Sequence, residues 1–319
     1  EIGDGLWSFK YSLTYFAFLV AAGIAFIVMQ RRQNALIGAM NHALEGSNAF
    51  LGAVSAKISH YLSPQIYKNI FSGEMDVTLT TKRKKLTIFF SDIKDFTALT
   101  ESLQPEALTE LINEYFSAMS AIALKHGGTI DKFIGDALLV FFGDPESHGA
   151  AEDAKAAVRM AIEMQHALAR LNVGWRQRGV EAPLRVRMGL NTGFCNVGNF
   201  GSNERMDYTI LGAEANLAAR LQSIAAPGGI VVSYETYALV REIVAGHALA
   251  PTSMKGIARA VVPYEIDGLV GEDGVAVQVF SEHADGLDLY LDLGRIDGEA
   301  AQALRGVLQR AIVALDGKR

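Results

Sequence analysis

Cysteine is nearly missing from this chain. Cys195 is the single one in 319 residues, so no intrachain disulfide framework holds the fold, which fits a reducing compartment for most of the chain. A basic excess is missing as well, and the net charge of -6 argues against a general nucleic-acid binder. Charged residues make up 20% against 50% hydrophobic, a globular and not a disordered balance. There is no initiator methionine: the sequence begins at Glu1 and reads as a processed chain or a fragment.

Charge is absent altogether from residues 11–29, a run rich in Phe, Leu, Ile, Val and Ala. At ~1.5 Å per residue it covers about 28 Å, close to the hydrocarbon thickness of a bilayer. Arg31 and Arg32 follow at once, whereas Glu1 and Asp4 precede it with Lys10 as the one basic residue on that side. The positive-inside rule then places everything after Arg31 in the cytoplasm, attached to a cell membrane through residues 11–29. A signal peptide would need a basic leader, a shorter apolar core and a cleavage site, and the acidic leader disagrees.

Residues 34 to about 70 read as an amphipathic helix. Leu36, Met40, Leu44, Leu51, Val54, Ile58 and Leu62 recur at threes, fours and one seven. A short two-stranded coiled coil and a helix packed on its own domain both fit that spacing. Ser63-Pro64 breaks this helix and can start the next. The cluster Lys82, Arg83, Lys84, Lys85 reads as a solvated or lipid-facing linker.

From Leu86 the period changes. Residues 86–90 read as a buried strand ending at Ser91-Asp92. A helix follows over 105–125, and Gly127-Gly128 ends it. Strands at 129–133 and 137–142 are joined through Ile134-Gly135-Asp136. A long helix runs from about 150 to 171, and a strand pair over 185–192 and 194–199 is joined around Gly193. A helix over 214–224 and a strand at 230–232 come next. The opening order is the ferredoxin-like βαββαβ arrangement of an α+β fold, a sheet with helices packed on it. The segments are 1–32 (membrane helix and flanks), 33–80 (coupling helix), 81–270 (main domain) and 271–319. In the last, Leu287, Leu289, Leu291 and Leu293 alternate like a strand, and Asp297 can cap a helix running to Leu315.

Chemistry points first to Asp92 and Asp136, two aspartates at the ends of buried apolar runs. A carboxylate beside an apolar core is costly without a cation, and Mg2+ favours one or two carboxylates plus phosphate oxygens. Either aspartate alone would pass as a turn or cap residue. Cys195, in an apolar strand pair, reads as core and not nucleophile.

The wider pattern resembles the class III adenylate and guanylate cyclase catalytic domain, over Lys85 to about Gly268. Phe90-Ser91-Asp92-Ile93…Phe96-Thr97 resembles the first metal motif of that family. Lys132-Phe-Ile-Gly-Asp136 resembles the second, with a purine-reading position four residues before the aspartate. Asn191-Thr192-Gly193 resembles a strand-turn segment. Thr209…Asn216…Arg220 resembles the third motif, in its spacing of seven and four.

The resemblance implies an adenylate cyclase that makes 3',5'-cyclic AMP and pyrophosphate from ATP by in-line attack of the ribose 3'-hydroxyl on the α-phosphorus. Two divalent ions, Mg2+ or Mn2+, would be held by Asp92, Asp136 and the Ile93 carbonyl. Backbone N–H groups of Phe96 and Thr97 are suited to phosphate. Asn216 would orient the ribose and Arg220 the α-phosphoryl group, although Arg220 standing alone would read as a surface ion pair. Lys132 and Thr209 would read adenine, where guanylate cyclases typically place an acid at the lysine position. Arg205 and Lys255 are looser candidates for triphosphate contacts. The resemblance further implies a homodimer with composite sites, and Thr209 resembles a subgroup in which some members respond to bicarbonate. Asp95 stands where the family commonly has Gly, and Ala213 where it commonly has Asp. A guanylate cyclase of the same fold and an inactive cyclase-like regulatory domain are the rival readings. A diguanylate cyclase would need a Gly-Gly-acid-acid-Phe signature, which is absent.

Overall fold

The first proline of the chain is Pro64, and nothing before Ile58 interrupts a helix. In the computed structural model, which describes residues 2–180, 183–202, 204–253, 260–270, 279–284, 287–292, 296 and 298–316, that stretch is one helix, α1 (Ile2–Ile58). It spans about 85 Å. The sequence suggested a membrane segment and a separate coupling helix, yet α1 continues unbroken through Arg31, Arg32 and Asn34. It ends at Ile58, ahead of the break expected at Ser63-Pro64. Its apolar side chains, Phe16, Phe18, Ile24 and Phe26 among them, lie exposed, and it is long and apolar enough to cross a membrane. The chain divides into two units, 1–62 and 63–319.

The second unit begins as the sequence predicts, with the Ser63 hydroxyl accepting from the Ile66 N–H to cap α2 (Pro64–Phe71). The strand β1 (Thr81–Ile93) follows, then α3 (Phe96–Ser102), α4 (Pro105–Lys125), β2 (Thr129–Ile134), β3 (Ala137–Phe142), α5 (Ala150–Gln177) and β4 (Val186–Gly201). After these come β5 (Met206–Leu211), α6 (Ala213–Ile224), β6 (Ile230–Val232), α7 (Tyr234–Val240), β7 (Val244–Ala248) and β8 (Tyr264–Leu269). One mixed sheet runs in the order β2-β3-β1-β4-β6-β8-β7, with β5 hairpinned onto β4. All its pairs are antiparallel except β4 with β6. This is the α+β sheet with packed helices that the element order implied. The chain also forms the hairpin β9 (Val279–Ala284) with β10 (Leu287–Asp292), and α8 (Gly298–Asp316). The predicted cap Asp297 lies outside the described residues.

Strand alternation sorts β1 between two cores. Phe89 and Ile93 face the larger one, built with Leu111, Tyr115 and Met119 of α4 and Val158, Ala161 and Met164 of α5. Leu86 and Ile88 face a smaller one with Leu139, Phe141, Cys195, Val197, Ile210 and Ala218 of α6. Burial pushes the Cys195 thiol up to about 11, as expected of a core residue.

Two sequence expectations change. The basic cluster at 82–85 is no linker: these residues form the first half of β1 and pair with residues 194–197 of β4. Nor does Gly193 join two strands, because β4 runs straight through it and pairs with β1 from Val186 to Gly198. Glycine is needed at this point for closeness, since a Cβ on Gly193 would lie 2.6 Å from the Glu214 side chain.

Gly189 is tighter still. A Cβ there would sit 2.2 Å from the Gln222 backbone nitrogen and 2.3 Å from the Ala218 carbonyl oxygen, both on α6. Backbone cannot swing aside as a side chain can, so Gly189→Ala must push α6 off the sheet. The expected cost is about 3 kcal/mol or more. Thermal unfolding reads this as a fall of roughly 6–12 °C for a domain of this size. An unchanged unfolding temperature would contradict this packing of α6.

Candidate active site

Asp92 sits at the end of β1, and Asp136 in the turn between β2 and β3 that Gly135, at φ 65°, makes possible. Pairing of β1 with β3 carries that turn to the Asp92 end of β1. The Ile93 N–H donates to Asp136 Oδ2 at 2.9 Å, so one carboxylate is tied to the backbone next to the other. Burial first, and the Asp92 charge in addition, raise the Asp136 carboxyl above its usual range, against the bond from Ile93. Two carboxylates held side by side at this cost have the chemistry of a divalent-cation site that takes its remaining ligands from a phosphate and a carbonyl. No cluster of three or more His, Cys, Asp or Glu that could hold a metal occurs among the described residues. The residues fit Mg2+ or Mn2+ on those terms.

Arg187, a residue that motif spacing missed, lies directly across from Asp92 in the β1–β4 register and donates to its Oδ2 at 2.6 Å. Gln222 of α6 reaches the same oxygen at 3.4 Å. The Arg187 Nε is buried with no acceptor among the described residues. An arginine at a strand start is unremarkable in sequence; only the register shows that it faces Asp92.

The candidate phosphate amides, Phe96 and Thr97, open the short helix α3, where first-turn N–H groups lack helical partners. Asp95 before them adopts φ 59°, ψ 32°, a left-handed conformation. That explains why glycine suits this position, and aspartate tolerates it better than most residues.

Asn216 and Arg220 share one side of α6, exposed and half-buried respectively. Asn191 holds the start of that helix: its Nδ2 donates to the Glu214 carbonyl oxygen at 3.0 Å and to Glu214 Oε2 at 2.7 Å. The Arg220 Nη1 is buried and has no acceptor among the described residues. A guanidinium nitrogen left in that state is suited to an anionic ligand.

Lys132 on β2 and Thr209 on β5 come together through Asp131. The Thr209 hydroxyl donates to Asp131 Oδ2 at 2.6 Å, and the Lys132 ammonium lies 3.4 Å from Oδ1. Asp131 is the second residue the motifs missed. Among the described residues, Lys132, Thr209, Asn216 and Arg220 make no hydrogen bond to Asp92 or Asp136, whose partners are Ile93, Arg187 and Gln222. Arg205 lies exposed in the turn after β4, at the opposite end of that strand from Arg187 and Asp92. Lys255 lies outside the described residues.

Comparison with known proteins identifies the family of the second unit. Residues 79–268 match the model of the adenylate and guanylate cyclase catalytic domain. Adenylate cyclase 1 of Rhizobium meliloti (strain 1021) is 30% identical over 237 residues, 74% of this chain but 34% of that protein, so the chain spans about a third of the length of that relative. The crystal structure of the adenylyl cyclase CyaB from P. aeruginosa is 53% identical and superposes with a TM-score of 0.58 over 59% of this chain and 96% of that one. The guanylyl cyclase Cya2 is 35% identical, with a TM-score of 0.56 over 62% of this chain and 99% of that one. Enzymes named for either purine are therefore similar to it. On its matched domain and its fold, the chain belongs to the adenylate and guanylate cyclase catalytic domain family.

Proposed function

We propose that this protein is an adenylate cyclase, converting ATP to 3',5'-cyclic AMP and pyrophosphate at the interface of a homodimer. The observation that carries the choice of base is the pairing of Lys132 with Thr209 on one buried carboxylate. An ammonium can donate to adenine N1, and a hydroxyl oxygen can accept from its N6 amine. Guanine presents the reverse edge. Purine-reading groups that make no hydrogen bond to the two aspartates support a site completed by a second copy. So do the exposed apolar side chains of Phe133 and Ile134 on β2, Phe194 on β4 and Leu211 on β5.

In this reading Asp92, Asp136 and the Ile93 carbonyl of one protomer hold two divalent cations, which supply Lewis-acid activation of the ribose 3'-hydroxyl and neutralise phosphate charge. The partner's Lys132 and Thr209 hold the base, the partner's Asn216 fixes the ribose, and the partner's Arg220 neutralises charge on the α-phosphoryl group. The 3'-oxygen forms a bond to the α-phosphorus and gives up its proton to water or a substrate phosphate oxygen, the bond from that phosphorus to the bridging oxygen breaks, and pyrophosphate leaves. Amides of Phe96 and Thr97 and the guanidinium of Arg187 receive phosphate oxygens. Arg205 and Lys255 are further triphosphate contacts in the assembled dimer. Rate comes from positioning and fixed charge more than from any side-chain base.

Cation binding has a sign that can be checked. Asp136 is raised in the folded chain, so its contribution to stability is fullest below the ordinary carboxylate range and is lost as pH rises through the raised value. A cation reverses that loss. Mg2+ or Mn2+ at neutral pH should raise the unfolding temperature by roughly 5–10 °C at a hundredfold excess over Kd. The gain should shrink as pH falls through the raised Asp136 range and vanish in Asp136→Asn. Scanning fluorimetry reads all three, and an equal gain in Asp136→Asn would contradict the cation site.

The long apolar helix α1 supports anchoring at a cell membrane through residues 11–29, with 33–80 coupling to a cytoplasmic catalytic domain over 81–270 and residues 271–319 as an extension. Bicarbonate as a regulator rests on Thr209 alone, and activity that stays flat across added bicarbonate at fixed pH would remove it. Product analysis of the purified chain with ATP and with GTP tests the main reading. Cyclic AMP and pyrophosphate in equal amounts support it. Cyclic GMP as the main product would make the chain a guanylate cyclase, and no product from an intact dimer would make it a regulatory domain.

A further inference from the structure

A lysine and an aspartate adjacent on a regular strand point to opposite faces. Asp131 and Lys132 do not behave so, because β2 carries an irregularity between them. Ile130 pairs with Val140 and Lys132 with the very next residue, Leu139, which leaves Asp131 as an extra residue opposite no partner. A bulge of this kind re-aims side chains. Here the carboxyl of Asp131 has no exposed area, while Lys132 beside it remains 38% exposed. Asp131 Oδ2 accepts from the Thr209 hydroxyl at 2.6 Å, and the Lys132 ammonium lies 3.4 Å from Oδ1, which has no hydrogen-bond partner among the described residues. Burial pushes this carboxyl above its usual range, and the bond from Thr209 and the charge of Lys132 act against that push.

We infer that Asp131 is the positioning residue that makes the purine pocket selective for adenine, by fixing which way the Thr209 hydroxyl and the Lys132 ammonium face. This inference rests on the adenylate cyclase reading and deepens it. A hydroxyl has one proton and two lone pairs, and an ionised carboxylate can only accept. With its proton committed to Asp131, Thr209 shows the base lone pairs alone. It accepts from the adenine N6 amine and opposes guanine O6. The ammonium, drawn toward Oδ1, keeps two protons for the ring edge. It donates to adenine N1 and meets the N1–H of guanine donor to donor. Threonine by itself would be indifferent between the two bases, because its hydroxyl rotates to suit either. Asp131 removes that freedom.

An amide at this position can donate as well as accept. Asp131→Asn therefore lets Thr209 turn its proton outward to guanine O6. The expected result is a fall in the ATP-to-GTP ratio of kcat/KM by roughly ten- to a hundredfold, most of it from gained GTP turnover. Thr209→Val removes the hydroxyl at nearly the same volume and should lower the ratio in the same range, whereas Thr209→Ser should hold it near wild type. Because Asp131 acts through Thr209, adding Asp131→Asn to Thr209→Val should change the ratio little further, a coupling that a merely structural aspartate would not show. Equal losses toward ATP and GTP in Asp131→Asn would overturn the assignment. So would a Thr209→Val chain as selective as wild type, should Asp131→Asn fail to fold. If the wild-type chain makes no cyclic nucleotide, the adenylate cyclase reading fails separately. The same variants are then compared by equilibrium binding of ATP and GTP, where wild-type affinities that do not favour ATP would overturn the role of Asp131 as well.

Discussion

Mixing Asp92→Ala protomers with Arg220→Ala protomers should restore cyclic AMP synthesis that neither variant has alone. Asp92 carries half of the carboxylate pair, and its cross-strand partner is Arg187. Arg220 carries a buried guanidinium nitrogen with no acceptor among the described residues. Removal of either charged group from a phosphate-transfer site costs several kcal/mol of transition-state stabilisation, so each homodimer should fall by about a thousandfold or more. In a head-to-tail pair, however, a heterodimer holds one site with both defects and one with none. Random exchange makes about half of the dimers mixed, each with one of two sites intact, so activity should return to about a quarter of wild type. Co-expression with two affinity tags and an assay of the doubly purified species measures this, at about half of wild type. No recovery in a verified heterodimer would mean that each chain builds its site from its own residues.

Lys132→Glu is the second large effect. The ammonium should supply a charged hydrogen bond to adenine N1, and an acid at that position accepts where the lysine donates. The kcat/KM for ATP should fall by about a hundredfold or more, and GTP should become the better substrate. Asp131 lies beside this position with no exposed area, so the new acid also meets a like charge, and the unfolding temperature should drop. Steady-state kinetics with both nucleotides decide the matter. An unaltered preference for ATP would show that the base is read elsewhere.

Much of this fold was legible because its elements announce themselves. The helix α4 begins and ends at the residues that Pro105 and Gly127-Gly128 mark, and β3 is an uninterrupted apolar run. Gly193 misled the reading of β4: glycine usually punctuates, but here it admits Glu214 of the helix packed above it, a contact invisible in one dimension. Likewise the basic residues at 82–85 suggest a linker by charge alone, and only their ladder with β4 makes them strand. The continuity of α1 past Arg31 was hidden because charges mark where a membrane ends and do not end a helix.

The site divides along the same line. Asp92, Asp136, Lys132, Thr209, Asn216 and Arg220 stand at spacings a sequence displays. Arg187 and Asp131 do not. The first meets Asp92 through the register that sets it opposite, and the second meets Thr209 from a bulge. Both are products of strand pairing, which local sequence specifies weakly.

The most direct measurement is the initial rate of cyclic AMP formation by the purified full chain with ATP and Mg2+ or Mn2+, beside Asp92→Ala at the same dimer concentration. The account predicts cyclic AMP with an equal amount of pyrophosphate from the wild type, a clear preference over GTP, and a loss to background in the variant. Cyclic AMP formation that persists undiminished in Asp92→Ala would contradict it.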